Sequence, residues 1–138
     1  MASNYTTNYQ LNQWAKSDRI MMDDFNADNL KIDTALGSMA QVVLGSYTGD
    51  GTTLRTVELG FTPRAVYVTD ARGAAFRYSS GVGRFCGGLA MRDKPAKDGG
   101  RTILAICDNG FQVNRDTSTS PYVTSNSSDE TYYYVALR

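Results

Sequence analysis

Apolar residues between Met22 and Val43 recur at alternating steps of three and four positions. The series consists of Met22, Phe25, Asn29, Ile32, Leu36, Met39 and Val43, with Asn29 as its polar member. This is the heptad spacing of a coiled coil, and it is narrower than the apolar stripe of a helix in a monomeric domain. The heptad seam therefore predicts a helix within residues 19–41 that associates with copies of itself, with Asn29 fixing the register.

The heptad seam leaves two points open. The helix could instead pack on its own domain. Gly37 lies inside the seam and weakens a helix, so the helix could end there, which would leave Met39 and Val43 in a linker or a first strand. A seam this short is only marginally stable in water, so we expect further contacts between copies elsewhere in the chain.

From about Gln41 the pattern changes to short runs rich in β-branched and aromatic residues. The runs are Val42–Tyr47, Leu54–Leu59, Ala65–Thr69, Ala75–Tyr78, Phe85–Met91, Thr102–Cys107, Phe111–Asn114 and Thr131–Leu137. Turn signals, among them Asn109-Gly110, separate them, which predicts an antiparallel β-sandwich over residues 42–138 and a mainly β fold. The last run is apolar on both faces, which indicates a central strand or a subunit contact.

The first 18 residues form a polar arm that contains the only tryptophan, Trp14. An aromatic side chain in a polar segment is typical of a binding hot spot, so Trp14 is a candidate for attachment to another protein. The alternative is that Trp14 folds back against its own helix, near Met21 or Met22.

Two long segments of the β part are predicted loops, Arg92–Gly100 and Asn114–Glu130. Binding residues concentrate on loops held by a rigid scaffold. The candidate recognition residues are Tyr122, Arg115, Asp116 and Arg92, with Tyr122 as a stacking face and the arginines as partners for anionic groups. Arg72, Arg77 and Arg84 could also bind anionic groups, and the alternative for all of these charged residues is a solvated surface. Tyr132, Tyr133 and Tyr134 could form a sugar platform, but their alternation favours core and subunit packing.

Composition removes several function classes. The chain has 14 Lys and Arg residues against 14 Asp and Glu residues and no histidine. No basic excess points to nucleic acid or to an anionic membrane, and no apolar run is long enough to insert into one. Without histidine the Ser-His and Cys-His nucleophile pairs are missing, and we expect no enzyme, no metal site and no cofactor. Cys86 and Cys107 are expected to be free thiols, with a disulfide as the alternative.

The stretch LNQWAKSDRIMMDDFNADNLKIDTAL resembles the N-terminal motif of tail proteins in prophages of Gram-positive bacteria. The matching residues are Trp14, Asp18, Asp24-Phe25-Asn26 and Lys31-Ile32-Asp33. The segments GSYTGDG, TVELGFTPRAVYV, DNGFQV and TYYYVAL are similar to the C-terminal β-sandwich domains of phage tail fibres and related trimeric lectin-like tips. The resemblance implies a homotrimer with N-termini toward the particle and distal sandwiches that bind a receptor, often a sugar. It supplies no set of binding residues.

We therefore expect a phage-type or tailocin-type tail fibre protein that is located in a virion or phage-tail-like particle and is assembled in the bacterial cytoplasm. Its arm (1–18) would attach to a tail or baseplate protein, its helix (19–41) would trimerise the chain, and its sandwich (42–138) would bind a bacterial surface glycan. The alternatives are a structural tail or baseplate component without receptor binding and a glycan depolymerase.

Overall fold

A computed structural model describes the whole chain, from Met1 to Arg138. The protein is mainly β with a single helix. It divides into two compact units, Met1–Ala40 and Gln41–Arg138.

The N-terminal unit contains a small hairpin and the helix. Its elements are β1 (Asn4–Tyr5), β2 (Asn12–Gln13) and α1 (Met22–Ser38). The two short strands pair antiparallel, so the predicted arm is folded as a hairpin. Trp14 follows β2 and is half-buried. Next to it, the Asp18 carboxylate accepts hydrogen bonds from the backbone N–H groups of Ser3 (2.9 Å) and Ala15 (2.8 Å), which fixes the connection between hairpin and helix.

Helix α1 is shorter than predicted. It begins at Met22 and ends at Ser38, directly after Gly37, and Met39 continues in an extended conformation with ψ at 132°. Val43 lies in a strand. The shorter of the two alternatives is therefore correct, because glycine is a poor helix former and the next strand starts within four residues. The part of the heptad seam inside the helix runs from Met22 to Leu36.

The heptad seam is exposed in the single chain. Met22, Phe25, Ile32 and Leu36 are 76%, 57%, 42% and 61% exposed. No residue of α1 is buried. Within its own unit the seam therefore has no packing partner.

A neighbouring stripe of α1 is covered by the arm instead. Both carboxylate oxygens of Asp28 accept the backbone N–H of Asn12, at 3.1 and 2.9 Å, and Asn12 Nδ2 donates to the carbonyl of Asp24 at 3.1 Å. Lys31 forms an ion pair with Asp28 at 3.4 Å and donates to the carbonyl of Gln10. Polar contacts thus hold the arm, and they leave the apolar seam free.

The second unit is built from strands alone. They are β3 (Val42–Thr48), β4 (Leu54–Glu58), β5 (Ala65–Asp70), β6 (Phe76–Ser79), β7 (Val82–Phe85), β8 (Gly88–Met91), β9 (Ala96–Asp98), β10 (Arg101–Cys107), β11 (Gly110–Asp116), β12 (Tyr122–Thr124) and β13 (Thr131–Leu137). The predicted Asn109-Gly110 turn joins β10 to β11, with Cys107 paired to Gly110. Both cysteines are free thiols, as predicted.

The strands form two sheets. The four-stranded sheet has the order β3-β13-β5-β8, and all its pairs are antiparallel. The seven-stranded sheet has the order β6-β7-β12-β11-β10-β9, with β4 also paired to β11. Strand β12 runs parallel to β7, so this sheet is mixed and not purely antiparallel as predicted. Strand β13 is central in its sheet, in agreement with its two apolar faces.

The core lies between the two sheets and is centred on aromatic rings. Tyr47 of β3 and Tyr132 of β13 stack with ring centroids 5.0 Å apart. Tyr47 also meets the edge of Phe111, from the other sheet, at 6.0 Å. Burial raises the pKa of Tyr132 to about 12, so its phenol remains a hydrogen-bond donor at neutral pH.

One predicted strand is two strands in different sheets. The run Phe85–Met91 is divided into β7, in the seven-stranded sheet, and β8, in the four-stranded sheet. Gly87 lies at the crossing, where any Cβ atom would overlap the backbone of Val68. The chain can pass this close to β5 only because the residue is glycine.

The segment Asn114–Glu130 is not the exposed recognition loop that its Ser and Thr content predicts. Strand β12 lies within it, and Ser125 and Asn126 are fully buried. The Ser125 hydroxyl donates to the carbonyl of Ile103 at 2.7 Å. Asn126 Nδ2 donates to the Asp50 carboxylate at 2.7 Å and to the Thr52 carbonyl at 3.0 Å. The polar side chains of Ser125 and Asn126 therefore form hydrogen bonds inside the protein and do not face a ligand.

The hydrogen bonds of Asp50 predict a fold that is sensitive to acid. Hydrogen bonds from the Thr52 hydroxyl, the Thr52 backbone N–H and Asn126 lower the pKa of its carboxyl from 3.8 to about 2. A lowered folded-state pKa stabilises the fold above the unfolded value, and this stabilisation is lost as the pH falls through the folded one. We expect Asp50→Asn to flatten the decrease in melting temperature between pH 4 and pH 2, measured by circular dichroism. Asp93→Asn, an exposed carboxylate, serves as the control, and equal acid slopes in all three proteins would contradict the prediction.

Candidate functional site

A polar pocket of about 200 Å³ lies where β5 ends and β6 and β13 begin. We refer to it as the Asp70 pocket; its lining residues are Asp70, Ala71, Arg72, Arg77, Glu130 and Thr131. These residues lie at the ends of strands. Asp70 is the last residue of β5 and pairs with Tyr132 near the start of β13. The site therefore rests on the rigid centre of the four-stranded sheet and on one edge of the other sheet.

Asp70 is the buried anchor of the pocket, at 3% exposure. Its Oδ1 accepts the backbone N–H groups of Arg72 and Ala74, both at 2.9 Å, which closes the turn between β5 and β6. Gly73 completes that turn with φ at +80°, a conformation that favours glycine. The local sequence Asp-Ala-Arg-Gly thus fixes the carboxylate before any ligand arrives.

The other oxygen of Asp70 forms an ion pair with Arg77. Asp70 Oδ2 and Arg77 Nε are 2.8 Å apart, but neither atom has a well-aligned hydrogen bond. Contact with the Cys86 sulfur, and the charges of Asp70 and Glu130, raise the pKa of the Arg77 guanidinium, so it remains protonated. The two opposite charges compensate each other in this buried position, and the pair holds the Arg77 side chain against the wall of the pocket.

Glu130 lies at the mouth of the pocket and is exposed. The Tyr132 hydroxyl is 3.1 Å from Glu130 Oε2, and the same hydroxyl accepts the backbone N–H of Ser127 at 3.1 Å. Tyr132 also donates to the carbonyl of Thr124. The buried hydroxyl of Tyr132 thus holds the segment 124–130, and with it Glu130, in place.

The charges of the Asp70 pocket balance, with two carboxylates and two guanidinium groups. Carboxylate oxygens accept hydrogen bonds, and guanidinium groups only donate them. A hydroxyl can do both, so neighbouring hydroxyl groups of one ligand can donate to Glu130 and accept from Arg72 or Arg77. The balance favours a neutral, hydroxyl-rich ligand over an anion, and the small volume suits a single ring.

The predicted recognition residues do not form one site. Arg115 is exposed and Asp116 is half-buried at the end of β11, where they pair with Thr124 and Val123. Hydrogen bonds from the Ser118 hydroxyl and backbone N–H lower the pKa of Asp116. Tyr122 is half-buried in β12 and is a strand residue, not the exposed loop aromatic that was predicted. These three residues lie near one another, but they do not line the Asp70 pocket.

Tyr122 has a link to the pocket through the sheet. It pairs with Arg84 of β7, and Arg84 pairs with Arg77 of β6. Paired residues point to the same face, so Tyr122 lies two strands from Arg77, about 10 Å at the usual strand spacing. A longer ligand that starts in the Asp70 pocket could reach it.

Arg92 lies elsewhere. It lines a separate pocket of about 350 Å³ with Thr62, Asp93 and Asp108 among its neighbours. Asp108 directly follows the last residue of β10. Asp116 lies near the first residue of β10, Arg101, whose Nη1 is 4.0 Å from Asp116 Oδ2. Arg92 and the Tyr122 region therefore lie at opposite ends of β10.

Sequence reasoning identified Arg72 and Arg77 as candidate ligand contacts but missed Asp70 and Glu130. Asp70 ends an apolar strand run, and a carboxylate there followed by Arg-Gly is the one local signal that could have pointed to it. Glu130 is distant in the sequence and joins the site only through strand β13.

No group of three or more histidine, cysteine, aspartate or glutamate side chains is positioned to hold a metal ion. The helix is not long and apolar enough to cross a membrane. Comparison of the chain with protein-family models, with curated proteins and with solved structures found no match to any of them.

Proposed function

We propose that this chain is a homotrimeric attachment protein of the phage-tail or tailocin type, whose sandwich unit binds a bacterial surface glycan. The observation that carries the proposal is the Asp70 pocket, in which the charges of two carboxylates and two guanidinium groups balance. Its chemistry suits the hydroxyl groups of a neutral saccharide. The pocket is small, so each site is weak, and binding would depend on several copies acting together.

The N-terminal unit supports the assembly part of the proposal. Its helix exposes an apolar heptad seam while polar contacts hold the arm. Three copies joined through this seam would present three pockets to one surface. The arm, with half-buried Trp14 and the exposed rings of Tyr5 and Tyr9, would attach the trimer to a tail or baseplate protein.

A structural tail or baseplate component without receptor binding is the second candidate. The observation in its favour is that the side chains of Ser125 and Asn126 form hydrogen bonds inside the protein, so they are not free to bind a receptor. A glycan depolymerase has less support, because Asp70 is held by two backbone N–H groups and Arg77 and is poorly placed to exchange protons.

Binding of the full chain to an array of bacterial cell-wall polysaccharides and teichoic acids tests the proposal. We expect retention on neutral polysaccharides. Arg72→Ala and Glu130→Gln should each weaken it at least about tenfold, because each removes a charged hydrogen-bond partner worth roughly 1.5–3 kcal/mol. Arg64→Ala, which removes an exposed arginine outside the pocket, is the matched control.

The outcomes separate the candidates. Absence of binding to every glycan would favour the structural role, and release of shorter glycans would favour a depolymerase. Loss of binding in Tyr122→Ala and Arg115→Ala, with full binding in the pocket variants, would move the site to the end of β11 and β12. Melting temperature is measured for each variant so that loss of folding is not mistaken for loss of binding.

A further inference from the structure

The outer face of the four-stranded sheet is apolar although it is exposed. Its positions alternate with those of the core, and they carry Val42, Leu44, Ser46, Thr48, Ala65, Tyr67, Thr69, Leu89, Met91, Thr131, Tyr133, Val135 and Leu137. We refer to these residues as the outer sheet face. None of them is charged.

The apolar side chains form continuous rows across all four strands. In one row Leu44 pairs with Val135, Val135 with Tyr67, and Tyr67 with Leu89. These four side chains are 72%, 39%, 42% and 54% exposed. The adjacent row ends in Val42 and Met91, which are 60% and 48% exposed. An exposed apolar area of this extent is rare on a monomeric protein and marks an interaction surface.

The opposite side of the sandwich differs. There the outward positions of β4 and β11 carry Thr56, Glu58, Gln112 and Asn114, with Leu54 as the one exposed large apolar side chain among them. This is the ordinary polar surface of a sheet whose other face packs on a core. The apolar character of the outer sheet face is thus specific to one surface of the unit.

The outer sheet face is shaped as well as apolar. A groove of about 530 Å³ runs over it, lined by Leu44, Tyr67, Tyr133 and Val135, with Gly45 at its base among the other lining residues. Gly45 has no side chain, and a Cβ atom there would overlap the Tyr134 ring. Side chains from a facing surface could insert into this groove.

We propose that the outer sheet face packs against the same face of other copies of this chain. An uncharged, largely aliphatic surface is typical of the interfaces of obligate homo-oligomers. The heptad seam supplies the second argument, because its helix ends at Ser38 and β3 begins at Val42. Helices that associate would hold the sheets of neighbouring copies at a high effective concentration, so a modest surface is enough to close the contact.

The inference rests on the oligomer of the proposed function and adds a second interface to it. The short seam is marginal alone. Sheet packing would provide the additional contacts that an assembly of this size requires. It would also place the sandwich units side by side, with the Asp70 pockets at the border of the interface, since Thr131 is the one residue that the pocket shares with the outer sheet face.

Met91 is a natural probe of this interface. It is half-exposed in the single chain, and trypsin would release it in the peptide Phe85–Arg92, which contains no other methionine. Hydrogen peroxide oxidises accessible methionine to the sulfoxide. We expect Met91 in the full chain, at a concentration where light scattering gives a trimer, to oxidise at least about tenfold more slowly than in the synthetic peptide Phe85–Arg92.

Leu44→Glu places a charge in the row of apolar side chains that also contains Val135, Tyr67 and Leu89. In this variant we expect Met91 to oxidise at nearly the rate of the free peptide. Leu54→Glu is the matched control, because Leu54 is a comparably exposed strand leucine (57%) in the other sheet, and it should keep Met91 protected. Both variants are checked for native circular dichroism.

The two proposals fail differently. A trimer by mass in which Met91 oxidises at the peptide rate would overturn the sheet interface and leave the seam interface intact. A monomer by mass would overturn both. Protection of Met91 that persists in Leu44→Glu would also overturn the inference, since the protection would then not arise from packing of this face.

Discussion

Ile32→Asp should convert the protein from an assembly near three times the 15.1 kDa of one chain to a single chain at micromolar concentration. Ile32 occupies the centre of the heptad seam and is 42% exposed in the isolated chain. In a trimer, three introduced carboxylates would converge near one axis, where burial and mutual repulsion both oppose the charged form. The seam inside α1 spans only Met22 to Leu36, and the modest outer sheet face should not hold the copies together once the helices no longer keep them at a high effective concentration.

Ala27→Asp is the control for this change. Ala27 is exposed on α1 and lies on the helix side away from the heptad seam, so Ala27→Asp adds the same charge with a larger loss of helix propensity than Ile32→Asp. Light scattering should give the wild-type mass for Ala27→Asp and the single-chain mass for Ile32→Asp. A wild-type protein that is monomeric at micromolar concentration, or an Ile32→Asp variant that keeps the wild-type mass, would contradict the prediction.

Sequence patterns predicted the elements whose side chains repeat with a clear period. The run TYYYVALR alternates between two apolar faces, and it is the central strand β13. The heptad seam located the helix because its spacing cannot be satisfied by a strand. The helix end could not be decided, because Gly37 weakens a helix without forbidding it.

The strands that the sequence patterns missed are those that form through backbone pairing with a neighbouring strand although their amino-acid composition is typical of a loop. Strands β9 and β12 are three residues long and lie in segments rich in Lys, Asp, Ser and Thr. They are strands because their neighbours in the sheet offer free backbone groups, and no local pattern reports this. The Asp70 pocket was missed for a related reason, since Asp70, Arg77 and Glu130 come together only through the sheet topology.

Buried polar residues in the segment 114–130 account for the largest error. A Ser, Thr and Asn-rich stretch is typical of a solvated loop. Here Thr124, Ser125 and Asn126 are at most 5% exposed, because the hydrogen bonds of the last two satisfy backbone groups of β10 and of the β3–β4 connection. Composition cannot distinguish a polar residue that binds water from one that binds its own chain.

Asn126→Ala should lower the free energy of unfolding of the sandwich unit by about 2–4 kcal/mol, because buried groups lose their partners. Asn126 Nδ2 donates to Asp50 Oδ1 (2.7 Å) and to the Thr52 carbonyl (3.0 Å), and Asn126 Oδ1 accepts the Asp50 N–H at 3.2 Å. Alanine would end all three contacts and leave a void in a site that is fully buried. Urea unfolding at fixed protein concentration measures the loss.

The readout should be the near-ultraviolet circular dichroism of the tyrosines, because Trp14 lies in the other unit and does not report on the sandwich. Ser128→Ala, an exposed hydroxyl two residues away, should change stability by less than about 0.5 kcal/mol. Loss of Asn126 should also raise the pKa of Asp50 toward its ordinary value, since the Asn126 amide is one of the groups that lower it. The acid dependence of Asn126→Ala should therefore be shallower than that of the wild type, in addition to the lower stability at pH 7. A wild-type acid slope combined with wild-type stability would show that this buried amide does not hold the two connections together.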